Sequence, residues 1–107
     1  EYPVTLLLKG ARTLVGEARE ARFINSSGNP GMASGGMGDV LTGVCAALCP
    51  QVTGKNLLQC AVLGAWVCGR AAECAVFSGA DAPESLCASS LLDSLGSAFR
   101  SLRAGDY

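Results

Sequence analysis

No histidine occurs among the 107 residues. Within this chain that removes every Ser-His or Cys-His nucleophile pair and every His-ligated metal site. Basic character is also scarce: 8 Lys and Arg stand against 9 Asp and Glu, a net charge of −1. The basic residues Lys9, Arg12, Arg19, Arg22, Lys55, Arg70, Arg100 and Arg103 are scattered and form no stripe. Nucleic-acid binding is therefore disfavoured, because such binders concentrate their cations on one face. No Cys-x-x-Cys pair occurs among Cys45, Cys49, Cys60, Cys68, Cys74 and Cys87. Most of these cysteines sit among Ala, Val and Leu, where a free thiol behaves as a small buried hydrophobe; structural disulfides and zinc are the alternatives. Reduced, non-catalytic cysteines are expected, and with them a cytoplasmic setting. No targeting segment is visible; one would have to precede Glu1. The longest apolar stretch, Leu57 to Gly69, is bounded by Lys55, Arg70 and Glu73. It falls short of the roughly 20 residues a membrane span needs, so it reads as a core helix.

What is present is half hydrophobic, enough for one small domain and too little for two. Pro3 to Lys9 is a β-branched and leucine run, the pattern of a strand buried on both faces. Such a strand, ending at Lys9-Gly10, would place polar groups at the carboxyl edge of a parallel sheet. Arg12 to Gly16 and Ala21 to Asn25 are shorter strands able to pair as a hairpin. Ser26 to Gly38 holds five glycines and Pro30 with no apolar periodicity. A loop of that length inside a small domain is usually functional. A helix follows, marked by Val40, Leu41, Val44, Cys45 and Leu48 and ended by Pro50. A second helix is expected from about Asn56 to Val76, and a third from about Pro83 to Arg103. Strands are too few to bury three helices. The expectation is that residues 1–107 are the C-terminal portion of one domain whose N-terminal portion is absent.

The informative segment runs from Gly28 to Gly43: Gly28-Asn29-Pro30-Gly31-Met32-Ala33-Ser34-Gly35-Gly36-Met37-Gly38-Asp39-Val40-Leu41-Thr42-Gly43. Glycines leading straight into a helix leave its first N–H groups unpaired and outward, and the helix dipole adds about half a positive charge there. Gly35, Gly36, Met37 and Gly38 would thus form an anion site, most often one for phosphate. Asp39 falls in the first helical turn beside it. A carboxylate so placed can take a proton from a hydroxyl that attacks a held phosphoryl group. An Asp there is also ordinary dipole complementation, worth about 0.3–1 kcal/mol. Two competing motifs fail on spacing. Gly54-Lys55-Asn56 lacks the Ser/Thr and the upstream glycine of a P-loop, and Leu41 stands where a dinucleotide fingerprint needs its third glycine.

Asn29-Pro30-Gly31-Met32-Ala33, Gly35-Gly36 and Gly38-Asp39-Val40-Leu41-Thr42-Gly43 together resemble the signature of NAD(P)H-hydrate dehydratases, the bacterial ADP-dependent kind above all. Leu8-Lys9-Gly10-Ala11-Arg12-Thr13 resembles that family's strand-to-turn segment at the right distance upstream. The resemblance implies an α/β fold, the C-terminal part of a ribokinase-like three-layer α/β/α sandwich with short strands first and three helices after. It implies repair of hydrated NADH or NADPH: a nucleotide phosphorylates the hydroxyl, phosphate leaves, and the reduced cofactor returns. By the same resemblance Lys9, Gly10, Ala11, Arg12, Thr13 and Gly38 bind the nucleotide, and Asp39 meets the substrate hydroxyl as catalytic base. ADP is the favoured donor over ATP, carried with Mg2+ that no side chain of this chain is assigned to ligate. The implied partners are NADHX or NADPHX and the nucleotide, with a homo-oligomer and neither nucleic acid nor membrane.

The chain departs from the family pattern at four places. Met37 replaces a hydroxyl residue and so removes a phosphate hydrogen bond, and Ser34 stands where Thr is common. Cys68 replaces a frequent His and Ser90 a frequent Asp, both read as packing changes away from the chemistry. Two rivals stay open on residues alone. One is a small-molecule kinase of the same fold, sharing the Gly-x-Gly-Asp chemistry; the other is a non-catalytic nucleotide-binding fragment.

Overall fold

The early apolar runs become a small sheet and the later helical spacings become three helices. The structure, a computed structural model, describes residues 5–8, 14–17, 23–33, 35–51, 57–79 and 81–105. Strands β1 (Thr5–Leu8), β2 (Leu14–Glu17) and β3 (Phe23–Ile24) come first. Helices α1 (Met37–Gln51), α2 (Leu57–Phe77) and α3 (Ala88–Ala104) follow. The class is α/β, in the chain order the sequence implied.

Both strand pairings, β1 with β2 and β2 with β3, are antiparallel. Leu8 pairs with Leu14, and Val15 pairs with Phe23. The second hairpin is the expected one. The parallel edge expected after the first strand is a correction: β1 runs against β2. A leucine run fits either ladder, but the interval between the paired Leu8 and Leu14 is far below the dozen or more residues a parallel return requires. Leu7 and Val15 are register partners, and both pack against Leu58 and Ala65 of α2. The described residues thus show a sheet with α2 against it, and α1 and α3 packed on α2 in turn.

Helix α2 is the centre of the molecule. It touches β1, β2, α1 and α3, which is why its buried residues, from Leu58 through Cys60, Gly64, Ala65, Val67 and Cys68 to Ala75, surround its axis. Small residues permit this. Gly64 lies under Cys45 of α1, and Gly69 lies under Ser27, where a Cβ would collide with the serine hydroxyl. The helix continues eight residues past Gly69, so it is long and apolar enough to cross a membrane by length and composition. Half of its apolar window is nevertheless buried against its neighbours, and Arg70 and Glu73 form an ion pair on it at 3.2 Å.

Two helix boundaries differ from the sequence reading. Pro50 lies inside the last turn of α1 rather than beyond it. A terminal turn tolerates proline poorly but survives here for one more residue, and Gln51 Nε2 donates to the Ala47 carbonyl at 2.8 Å. Helix α3 begins at Ala88, five residues after Pro83. Residues 82–86 close a separate turn, with the Ser85 and Leu86 N–H groups both donating to the Ala82 carbonyl at 3.0 Å. Leu86 then enters the core at 3 % exposure, and Cys87 takes extended backbone before the helix restarts. Leu91 and Ala98 of α3 are fully buried against α2 in a core shared with Met37 of α1. Gly105, in the left-handed region at φ 71, caps the end by donating to the Leu102 carbonyl at 3.2 Å.

Candidate active site at a glycine loop

The segment from Asn25 to Met32 is laid across α2 and tied to it by side chains. Asn25 Nδ2 donates to the Ala65 carbonyl at 3.2 Å, and its Oδ1 accepts the Ser27 N–H at 3.3 Å. This is a local turn of the kind asparagine favours. The Ser27 hydroxyl reaches the Trp66 carbonyl at 3.1 Å. Asn29 works both ways, its Nδ2 donating to the Ala72 carbonyl at 3.1 Å and its Oδ1 accepting from Gly31 N–H at 2.9 Å. Mid-helix carbonyls accept these bonds on their second lone pair, so α2 keeps its own ladder.

Glu73 supplies the other anchor. Its Oε2 accepts the Gly28 N–H at 2.9 Å and its Oε1 accepts from Arg70 Nη1 at 3.2 Å. Gly28 has φ +111, a conformation side chains resist. Past it, Pro30–Met32 makes one 3-10 turn with Asn29 as its N-cap. Gly31 is buried, and a Cβ there would run into the Pro83 carbonyl and meet Leu86 Cβ at 3.0 Å. The loop is therefore held between α2 on one side and the 83–88 segment on the other.

Gly35 and Gly36 are exposed, and the chain then enters α1 with Val40 N–H donating to the Gly36 carbonyl at 3.1 Å. Met37 is 5 % exposed and belongs to the core. Its side chain anchors the start of α1, so its departure from a hydroxyl residue acts as packing, and only its backbone is at the loop. Asp39 is exposed in the first turn, where the sequence put it. Gly38 is half-buried beside it, and its carbonyl accepts the Thr42 hydroxyl at 2.9 Å. Lys9, Gly10, Ala11, Arg12, Thr13 and Ser34 lie outside the described residues.

One juxtaposition was not legible in the sequence. A Cβ on Gly36, whose φ is +87, would stand 3.2 Å from Ala88 Cβ, so the first residue of α3 abuts the loop that enters α1. Two helix N-termini converge there, and both dipoles present their positive ends to one place. Cys87, the residue before Ala88, is exposed and its Sγ lies 3.3 Å from Ser89 Oγ and 3.2 Å from Ser90 Oγ. Hydrogen bonds from the Ser89 hydroxyl first, then from Ser90, hold its thiol down to about 7. Ser90 is thus a partner of the thiol that precedes α3. Cys68 is the opposite case: burial, then the nearby Cys45, pushes its thiol up to about 11, in keeping with a packing role. All six cysteines are free.

A family model described as NAD(P)H-hydrate dehydratase matches residues 1–92. The chain belongs to this family. Relatives include two proteins named bifunctional NAD(P)H-hydrate repair enzyme Nnr. That of Moorella thermoacetica is 47% identical over 73 residues, 68% of this chain, and that of Vibrio cholerae is 49% identical over 72 residues, 67% of this chain. A third, from Neisseria meningitidis, is named ADP-dependent (S)-NAD(P)H-hydrate dehydratase and is 40% identical over 72 residues, 67% of this chain. The chain spans 13%, 14% and 24% of the lengths of these three relatives.

Proposed function

We propose that the chain supplies the phosphate-holding loop and the general base of an enzyme that dehydrates NADHX and NADPHX at the expense of a nucleotide. The carrying observation is the exposed Asp39 carboxylate in the first turn of α1, entered through open glycines with a second helix N-terminus beside them. N–H groups at that end would hold the transferring phosphoryl group, where preorganised donors offset developing negative charge. Asp39 would accept the proton of the substrate hydroxyl as its oxygen attacks phosphorus. The phosphate ester so formed would then lose phosphate from one ring carbon and a proton to solvent from the adjacent one, regenerating the ring double bond of the reduced nicotinamide. Lys9, Gly10, Ala11, Arg12, Thr13 and Gly38 would line the nucleotide, and family membership is what supports them in that role. ADP is the proposed donor, supported by the name of the Neisseria relative.

Magnesium would travel with the nucleotide phosphates and neutralise part of their charge. The exposed acidic Asp39 beside an anion-binding helix end fits a nucleotide–metal complex. In this reading the remainder of the dehydratase domain lies N-terminal to residue 1.

Product analysis on the full-length protein tests the proposal. Incubation with NADHX, Mg2+ and ADP or ATP should release inorganic phosphate and restore absorbance of reduced nicotinamide in equal amounts. Accumulation of a stable phosphorylated alcohol would show a kinase instead, and nucleotide binding without turnover would show a non-catalytic fragment.

A further inference from the structure

Helices α1 and α2 approach closely at Gly64 and Cys45. A Cβ on Gly64 would stand 2.5 Å from Cys45 Sγ and 3.7 Å from Cys45 Cα, so only a glycine allows the two backbones this near. The helices run antiparallel, since Met37 at the start of α1 packs beside Val67, Ala71 and Ala75 far along α2. Residues four apart share one helix face. One turn onward from Cys45 is Cys49, and one turn back from Gly64 is Cys60. The register therefore sets Cys49 opposite Cys60 across the same seam. Burial first, and then the neighbouring Cys49 thiol, pushes the Cys60 thiol up. Cys60 is 2 % exposed, whereas Cys49 is open to solvent. An exposed thiol touching a buried one is the arrangement of an attacking and a resolving cysteine. A disulfide requires Cα atoms within about 4.4–6.8 Å, and one turn away a Cβ on Gly64 would already stand 3.7 Å from Cys45 Cα.

We propose that Cys49 and Cys60 are a redox-active pair that closes into an intramolecular disulfide on exposure to a peroxide. The Cys49 thiolate attacks one peroxide oxygen, the O–O bond breaks, and the departing oxygen leaves as water after protonation. Cys49 is then a sulfenic acid. The Cys60 sulfur attacks the Cys49 sulfur, the S–O bond breaks, and the Cys60 proton leaves with that oxygen as a second water. Two thiols are oxidised and one peroxide is reduced. A dithiol reductant reverses the step by thiol–disulfide exchange. Closure fastens the end of α1 to the start of α2 around residues 50–59, leaving Asp39 at the other end of its helix.

Hydrogen peroxide treatment of the full-length protein, alkylation of the remaining thiols and tryptic mass mapping test this. Cleavage after Lys55 separates Cys49 from Cys60, so the cross-link joins peptides 23–55 and 56–70. The expected result is loss of two free thiols per chain, a joined peptide pair fragmenting at Cys49 and Cys60, and full recovery in dithiothreitol. Cys49→Ser and Cys60→Ala should each abolish the joined pair, the alanine preserving an apolar buried site; Cys45→Ser should keep it. A cross-link at Cys45 or Cys68, one that persists in either pair variant, or Cys49 recovered only as sulfinic acid with Cys60 still free, would overturn the proposal.

Discussion

At the scale of single residues, the loop depends on groups far away in sequence. Gly28 and Glu73 are 45 positions apart, as are no two members of any motif in the chain. Asn29 and Asp39 were legible because they fall inside one contiguous glycine-rich string. Glu73 was not, because a charged residue on an apolar helix reads as its solvent face until the fold shows what rests on it. Glu73→Ala strands the half-buried Gly28 N–H and is expected to cost about 1–3 kcal/mol. Glu73→Gln, still an acceptor, should lose less. Equal thermal unfolding midpoints for parent and alanine variant would contradict the anchoring role. Cys87 carries a pH consequence. Its folded pKa is about 7, below the ordinary thiol value of 9.0, so the folded state favours the thiolate. The resulting stability is present above pH 9 and is lost as pH falls through 7. Alkylation by iodoacetamide should accordingly reach half its maximal rate at Cys87 near pH 7, with buried Cys68 unreactive over the same range. Preferential labelling of Cys68 would contradict this.

At the scale of elements, the α-helical spacings were legible and their junctions less so. Periodicity marks a helix interior because burial repeats every 3.6 residues. Helix α3 was placed too early because Pro83 and Glu84 resemble first-turn residues, and nothing local reveals that Leu86 must bury beside Gly31. Strand orientation was equally hidden in the leucine run. Two glycines separate packing from propensity. Gly69→Ala puts a methyl group into Ser27 at the crossing of loop and α2, and overpacking of this kind costs about 1–3 kcal/mol. Gly43→Ala, in the exposed middle of α1 with open space around it, should instead stabilise by about 0.5–1 kcal/mol. Chemical denaturation of both variants gives the comparison; the same sign for both would mean that loop and helix are not in contact at Gly69.

At the scale of the whole molecule, α2 is the frame: the sheet lies on one side, α1 and α3 on others, and the glycine loop is tied along it. The convergence of two helix N-termini at Gly36 is a product of that packing. It joins residues 36 and 88, which no sequence pattern links, whereas Asp39 lay in plain view beside the glycines that precede it. Asp39 is accordingly where the functional proposal meets its most direct test. Asp39→Asn in the full-length protein keeps the shape of the side chain and every backbone N–H of the loop. Loss of one first-turn carboxylate should cost at most about 1 kcal/mol in thermal unfolding. Recovery of NADH from NADHX should fall about 10²–10⁴-fold, the worth of a positioned acid–base group, with nucleotide affinity unchanged. A variant slightly less stable than its parent yet turning over within a few-fold of it would leave Asp39 a helix-end charge and contradict its role as the base.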